Sequence, residues 1–241
     1  MNLGQLFRCV GTVQRLRGRK APSNRGAICA GTVGFEDRES TMVRKPRERL
    51  LVIYLVRHGE TELNVKRVLQ GRSDYPLTET GIAQAQEVAD WFRDQGIVFD
   101  RVYSSPLVRA TQTARIIVGD DVEIMPEPRL IETDYGPYEG CSLSDPAPEL
   151  RYFFEDFINH PAPVGMEQLP DVIARVGEFL EELRDEPGTI LLSTHAIALK
   201  GGLEYLMPES KGQWWNTFVS NCCVFRIDRE NGEYATPVQV R

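Results

Sequence analysis

Leu50-Leu51-Val52-Ile53-Tyr54-Leu55-Val56 runs directly into Arg57-His58-Gly59-Glu60-Thr61. A continuous apolar run that ends abruptly in polar residues is the pattern of a β-strand buried on both faces, as in the centre of a parallel sheet. The polar residues then fall at the strand's carboxyl end, where open α/β sheets gather ligands. Downstream, Thr78 is placed to cap a helix that carries Ile82, Ala85, Ala89 and Phe92 on one face and stops at Gly96. Arg101-Val102-Tyr103-Ser104 gives a second short strand, followed by Ser105-Pro106 as cap and first turn of a helix bearing Arg109.

The alternation continues. A strand is expected over Val122 to Met125, helices over Leu150 to Ile158 and Leu169 to Leu183, and a second buried strand at Thr189-Ile190-Leu191-Leu192-Ser193. This strand ends at Thr194-His195, ahead of a helix from Ala196 to Leu206, and Cys222 to Ile227 adds a last strand. Strands alternating with helices predict an α/β three-layer sandwich, a mostly parallel central sheet with helices on both faces.

Charge divides the 241 residues in two. Residues 1–49 hold eleven Lys or Arg against four acids, whereas residues 50–241 hold 17 basic and 31 acidic residues. The first segment has no clear hydrophobic period and reads as a basic, disordered extension, with 50–241 as the folded domain. A dispensable extension, an overlong start with translation beginning at Met42, and a transit segment are the three readings of it. An acidic body argues against nucleic-acid binding, which depends on basic side chains neutralising phosphates. No apolar run approaches the roughly 18 residues of a membrane span. Cys9, Cys29, Cys141, Cys222 and Cys223 form no C-x-x-C pair, and their odd number suits reduced thiols in a cytoplasmic protein. His58, His160 and His195 have no zinc-site spacing, so no metal is expected.

Three strand ends therefore carry Arg57-His58, Ser104-Ser105 with Arg109 one turn on, and Ser193-Thr194-His195. Two imidazoles and two guanidiniums at one rim suit phosphoryl transfer, where positive donors stabilise a dianion. A neutral imidazole attacks phosphorus through one nitrogen when a hydrogen bond on the other fixes the tautomer. Gly59 leaves room for such a backbone contact.

Leu55-Val56-Arg57-His58-Gly59-Glu60-Thr61, with Asn64 and Gln70-Gly71-Arg72-Ser73-Asp74-Tyr75-Pro76-Leu77-Thr78, resembles the signature of the histidine phosphatase superfamily, also called phosphoglycerate mutase-like. Ser104 to Ala114 is similar to its second block, Arg129-Leu130-Ile131-Glu132 with Tyr135 to Gly140 to its third, and Ser193-Thr194-His195 to its fourth. The resemblance implies His58 as the phosphorylated nucleophile and Arg57, Arg109 and His195 as a cradle for the phosphoryl group. Glu132 would be the proton donor and acceptor, and Asn64, Gln70 and Gly71 would contact phosphate or substrate. It implies no metal and no organic cofactor.

Two positions depart from the family pattern. Ala196-Ile197-Ala198 stands where many members have Gly after the second histidine, and Tyr138 replaces a usual Trp. Glu132 and His195 are 63 positions apart. The mutase branch typically carries a longer, charged insertion there, so the spacing favours a phosphomonoesterase. A cofactor-dependent phosphoglycerate mutase and a phospho-ligand-binding pseudoenzyme are the alternatives. The aromatic stretch with Tyr152, Phe153, Phe154 and Phe157 is read either as helix core or as a lid. The expected partner is a small phosphorylated substrate, with neither nucleic acid nor membrane, and self-association into a homodimer stays open.

Overall fold

The computed structural model describes residues 50–241, so the expectations for 1–49, with Cys9 and Cys29, lie outside the described residues. The elements are β1 (Leu51–Arg57), α1 (Glu62–Lys66), α2 (Glu79–Asp94), β2 (Arg101–Ser104), α3 (Val108–Val118), β3 (Met125–Pro126), α4 (Pro148–Glu155) and α5 (Leu169–Leu183). They continue with β4 (Gly188–Thr194), α6 (Ala196–Leu206), β5 (Val224–Glu230), β6 (Glu233–Tyr234) and β7 (Val238–Gln239). The strands form one seven-stranded sheet in the order β3-β2-β4-β1-β5-β6, with β7 also pairing β5. β1, β2, β3 and β4 are mutually parallel, and β5 adds antiparallel to β1.

Side-chain alternation along the strands builds two cores. Ile53 and Leu55 of β1, with Ile190 and Leu192 of β4, pack under Val176, Phe179 and Leu180 of α5 and Ala198, Leu199 and Leu203 of α6. Tyr54 and Val56, with Leu191 and Val102, face Ala85, Val88 and Phe92 of α2 and Ala114 of α3. The expected fold class is therefore found, helices covering both faces. A third apolar cluster, with Leu150, Phe153 and Phe157 from the α4 region and Met166, Ile197 and Trp215, lies beside the carboxyl end of the sheet.

Local details differ from expectation where distant groups intervene. Ile82 is 47% exposed, because α2 turns Gly81 inward with Ala85, Val88, Ala89 and Phe92. A Cβ on Gly81 would lie 2.1 Å from the Glu60 carbonyl oxygen, and one on Gly59 would lie 2.5 Å from that of Gly81. Two facing glycines thus seat α2 against the loop after His58. Helix α3 begins at Val108 with no cap from its own N-cap residue, Leu107, and Asp74 accepts the Val108 N–H at 2.7 Å instead. The strand expected over Val122 to Met125 is only Met125–Pro126.

Candidate active site

Strand register brings the sequence blocks together. Arg57 at the end of β1 stands beside Thr194 of β4, and Ser104 at the end of β2 stands beside Ser193. The His58 N–H continues the ladder to the Thr194 carbonyl at 2.9 Å, and the Ser105 N–H reaches Ser193 O at 2.9 Å. The ring centroids of His58 and His195 are consequently 5.1 Å apart.

Both rings have fixed tautomers. His58 Nδ1 lies 2.7 Å from the Gly59 carbonyl, which can only accept, so Nδ1 carries the proton and Nε2 keeps its lone pair. Burial first, then the charges of Arg57 and Arg109, hold the His58 pKa well below the ordinary histidine value. At neutral pH the ring is therefore uncharged. His195 is the complementary case. Arg109 Nε donates to its Nδ1 at 3.1 Å, so Nε2 carries the hydrogen and donates to Ser105 Oγ at 2.7 Å. Burial, then Arg109 and His58, depress its pKa well below the usual range as well.

Arg109 is fully buried. Besides His195, it donates to Ser73 O at 2.8 Å and Gly71 O at 2.7 Å, so all three guanidinium nitrogens are held. Desolvation lowers its pKa to about 10, which leaves it cationic at neutral pH. Arg57 donates through Nη1 to Val219 O at 2.7 Å, while its Nε is buried with no partner among the described residues.

Two amides are turned the same way. The Thr61 hydroxyl donates to Gln70 Oε1 at 2.6 Å, leaving Gln70 Nε2 buried and unbonded. Asn64 Oδ1 accepts from the Thr61 N–H and from Asn221 Nδ2, both at 3.1 Å, which leaves the Asn64 amide nitrogen as a donor. Asn221 Nδ2 also binds His58 O at 3.1 Å. Glu132, 4% exposed, accepts from the N–H groups of Thr133, Ile197 and Ala198, so its carboxylate sits at the N-terminus of α6. Those contacts also occupy the Ile197 and Ala198 amides of the Ala196-Ile197-Ala198 departure.

A cavity of about 180 Å³ is lined by Arg57, His58, Asn64, Gln70 and Glu132 together with Leu143, Phe154, Phe157, Lys200 and Phe218. Five of the eight expected site residues thus reach its wall. Arg109 and His195 stand behind it, and Gly71 bridges the Glu139 carboxylate and Arg109 through its own backbone. Sequence reasoning missed Lys200, Asn221 and the orienting role of Thr61. A lysine interrupting the apolar run of α6, four residues after Ala196, was the available signal for Lys200. In the aromatic stretch, Leu150, Phe153 and Phe157 belong to the third core cluster, and Phe154 and Phe157 also line the cavity.

The profile of the histidine phosphatase superfamily (branch 1) matches residues 53–238. The chain belongs to that superfamily. A relative from Yersinia pestis, named a probable phosphoglycerate mutase, is 33% identical over 192 residues, covering 77% of this chain and 88% of its own. Among solved structures, the α-ribazole phosphatase of Shigella flexneri superposes with a TM-score of 0.69 at 27% identity, over 79% of this chain and 96% of that one. The phosphoserine phosphatase of Entamoeba histolytica, in complex with 3-phosphoglyceric acid, gives 0.68 at 27% identity, over 79% and 95%. Members of this superfamily are phosphatases or mutases, which supports an enzymatic role here. Among the described residues, no helix is long and apolar enough to cross a membrane, and no group of three His, Cys, Asp or Glu is arranged to hold a metal ion.

Proposed function

We propose that the protein is a phosphomonoesterase that hydrolyses a small phosphorylated metabolite through a phosphohistidine at His58, without a metal. The observation that carries this reading is the pairing, at one cavity, of a neutral imidazole with its Nε2 lone pair free and of buried donors that have no partner, Arg57 Nε and Gln70 Nε2. Unpaired buried donors are unfavourable, and a bound oxyanion would satisfy them.

In the first step His58 Nε2 forms a bond to phosphorus while the bond from phosphorus to the ester oxygen breaks, and Glu132, which enters the step as the carboxylic acid, delivers its proton to that oxygen and leaves as the carboxylate. In the second, Glu132 takes a proton from water, the water oxygen attacks phosphorus, and the bond to His58 breaks to release phosphate. Arg57, Gln70 and Asn64 bind the transferred oxygens. Arg109 fixes His195 beside them.

Acid-quenched enzyme should carry an acid-labile, base-stable phosphate that His58→Ala loses, with turnover falling at least ~10³-fold. Glu132→Gln should slow alkyl phosphates about 10²-fold or more while sparing p-nitrophenyl phosphate, whose leaving group needs no proton. Turnover by His58→Ala at a comparable rate would end this mechanism. A mutase reading is favoured by the name of the Yersinia relative. Product analysis with 3-phosphoglycerate separates the two, inorganic phosphate marking hydrolysis and 2-phosphoglycerate marking transfer.

A further inference from the structure

Among the described residues, Lys200 is the one on the cavity wall whose charge the proposed chemistry does not use. It lies on α6 with Ala196 and Ile197, all three on the wall. One helical turn, about 6 Å of axial rise, separates the backbone of Ala196 from that of Lys200, and the lysine's contacts are with Trp215 and Phe157 of the third apolar cluster rather than with the strand-end groups. Its ammonium donates one hydrogen bond, to the Trp215 carbonyl at 2.8 Å, and lies 5.6 Å from the centre of the Phe157 ring. An ammonium has three donors, so two remain. Among the described residues, no carboxylate forms an ion pair with it, although acids outnumber bases in this part of the chain.

Burial first, then the Arg57 charge, lowers the Lys200 pKa to about 8, against opposing pulls from Glu132 and Cys223. Near neutral pH it is still mainly protonated. A part-buried lysine with no directly paired acid is unfavourable, and Lys200 shares its cavity wall with Val68, Leu143, Phe154 and Phe218. One cation with two free donors matches the two oxygens of a monoanionic carboxylate. A second phosphate dianion calls for several donors, as Arg57, Gln70 and Asn64 provide at the other end.

We propose that Lys200 determines the specificity of this cavity, selecting phosphomonoesters whose leaving group carries a carboxylate. The assignment deepens the phosphomonoesterase reading and rests on it for what happens to the bound ester. The bland alternative is that Lys200 only ties α6 to the segment Gln213–Asn216 through Trp215 O.

Glycerol 3-phosphate and 3-phosphoglycerate differ only in a hydroxymethyl group against a carboxylate. Calorimetric titration of both into the His58→Ala protein, which cannot turn them over, reads the preference directly. With Lys200 present, 3-phosphoglycerate should bind at least ~10-fold tighter, and Lys200→Met should bring the two within about twofold while glycerol 3-phosphate affinity holds. Lys200→Gln, which keeps a donor for Trp215 O, should lose the preference in the same way, and Lys200→Arg should retain it. A preference that is absent with Lys200, or that survives in Lys200→Gln, overturns the proposal, as does an equal loss of both ligands in Lys200→Gln. Hydrolysis of p-nitrophenyl phosphate by the unaltered enzyme tests the phosphomonoesterase reading separately. Selective binding without hydrolysis would leave Lys200 as the carboxylate ligand and remove the hydrolase.

Discussion

The two ends of the cavity are built by different means. At the proposed phosphoryl end, His58, Arg57 and the supporting Arg109–His195 pair project from the ends of parallel strands or the first turn after them, and hydrogen bonds fix each group. At the proposed leaving-group end, α4, the segment Gln213–Asn216 and one face of α6 meet through apolar side chains, with Lys200 as the one cation there among the described residues. Strand register ties the first end to the core of the sheet, so a change there disturbs folding and chemistry together. The second end is a packed wall, where a side chain can change shape or charge while the strands stay in place. Under the proposed function, chemistry is thereby separated from selectivity within a single cavity, and each region predicts a different response to substitution.

The largest effect is expected at Arg109. Arg109→Met would leave the buried carbonyl of Gly71 and the partly buried one of Ser73 without their donor and remove the bond that sets the His195 tautomer. Stability should drop by on the order of 3 kcal/mol, and turnover should fall at least ~10³-fold. Arg109→Lys should rescue neither fully, since a point charge cannot reach three separated acceptors in a plane. Urea denaturation alongside steady-state kinetics checks this. Wild-type stability in Arg109→Met would break the claim that this end couples fold to chemistry.

A smaller effect should follow pH. Each of the two site histidines titrates near 6.5 when unfolded and well below that when folded. Between those values the unfolded chain binds more protons, so stability is present above about pH 6.5 and is lost as pH falls, by up to about 1.4 kcal/mol per pH unit for each ring. Glu127 and Glu167, whose folded pKa values are depressed by Arg129 and Arg175, add acid lability only below the ordinary carboxylate range. Urea midpoints measured between pH 7 and pH 5.5 therefore isolate the histidines. The slope should be shallower in His58→Asn, and an unchanged slope in that variant would show that the buried ring is not the source.

The same contrast explains what could be read from the sequence. Buried parallel strands announce themselves as apolar runs, and their polar terminations mark the site, so β1, β4 and the residues at their ends were legible. Helices α5 and α6 match their expected spans, because each has a continuous apolar pattern. The antiparallel docking of β5 on β1 is a tertiary choice that no local pattern encodes. Nor could the pattern show that Asp74 caps α3, or that facing glycines rotate α2 and expose Ile82. At the cavity, Asn221 and Thr61 were invisible because they act on the orientation of other side chains. Lys200 carried a signal in its apolar context, but only the fold reveals that, among the described residues, no carboxylate pairs directly with it and Glu132 acts on it from farther across the cavity.

The smallest effect sharpens the leaving-group wall itself. Phe153 and Phe154 are neighbours on α4, yet Phe153 is 1% exposed in the third core cluster whereas Phe154 is only partly buried and lines the cavity. Their rings are 5.4 Å apart, and each also meets Phe157. Truncating Phe153 removes close-packed volume, and Phe153→Ala should be the more destabilising of the two. Phe154→Ala takes away apolar surface that a leaving group would cover, so its main effect should be on KM. A partly covered aromatic face corresponds to about 1 kcal/mol, or roughly a fivefold rise in KM for p-nitrophenyl phosphate, whose ring uses that wall. Glycerol 3-phosphate, with no apolar ring, should show less than a twofold change. Equal KM changes for the two substrates in Phe154→Ala would mean that Phe154 shapes the phosphoryl end as well, and the division between the two regions would have to be redrawn at α4.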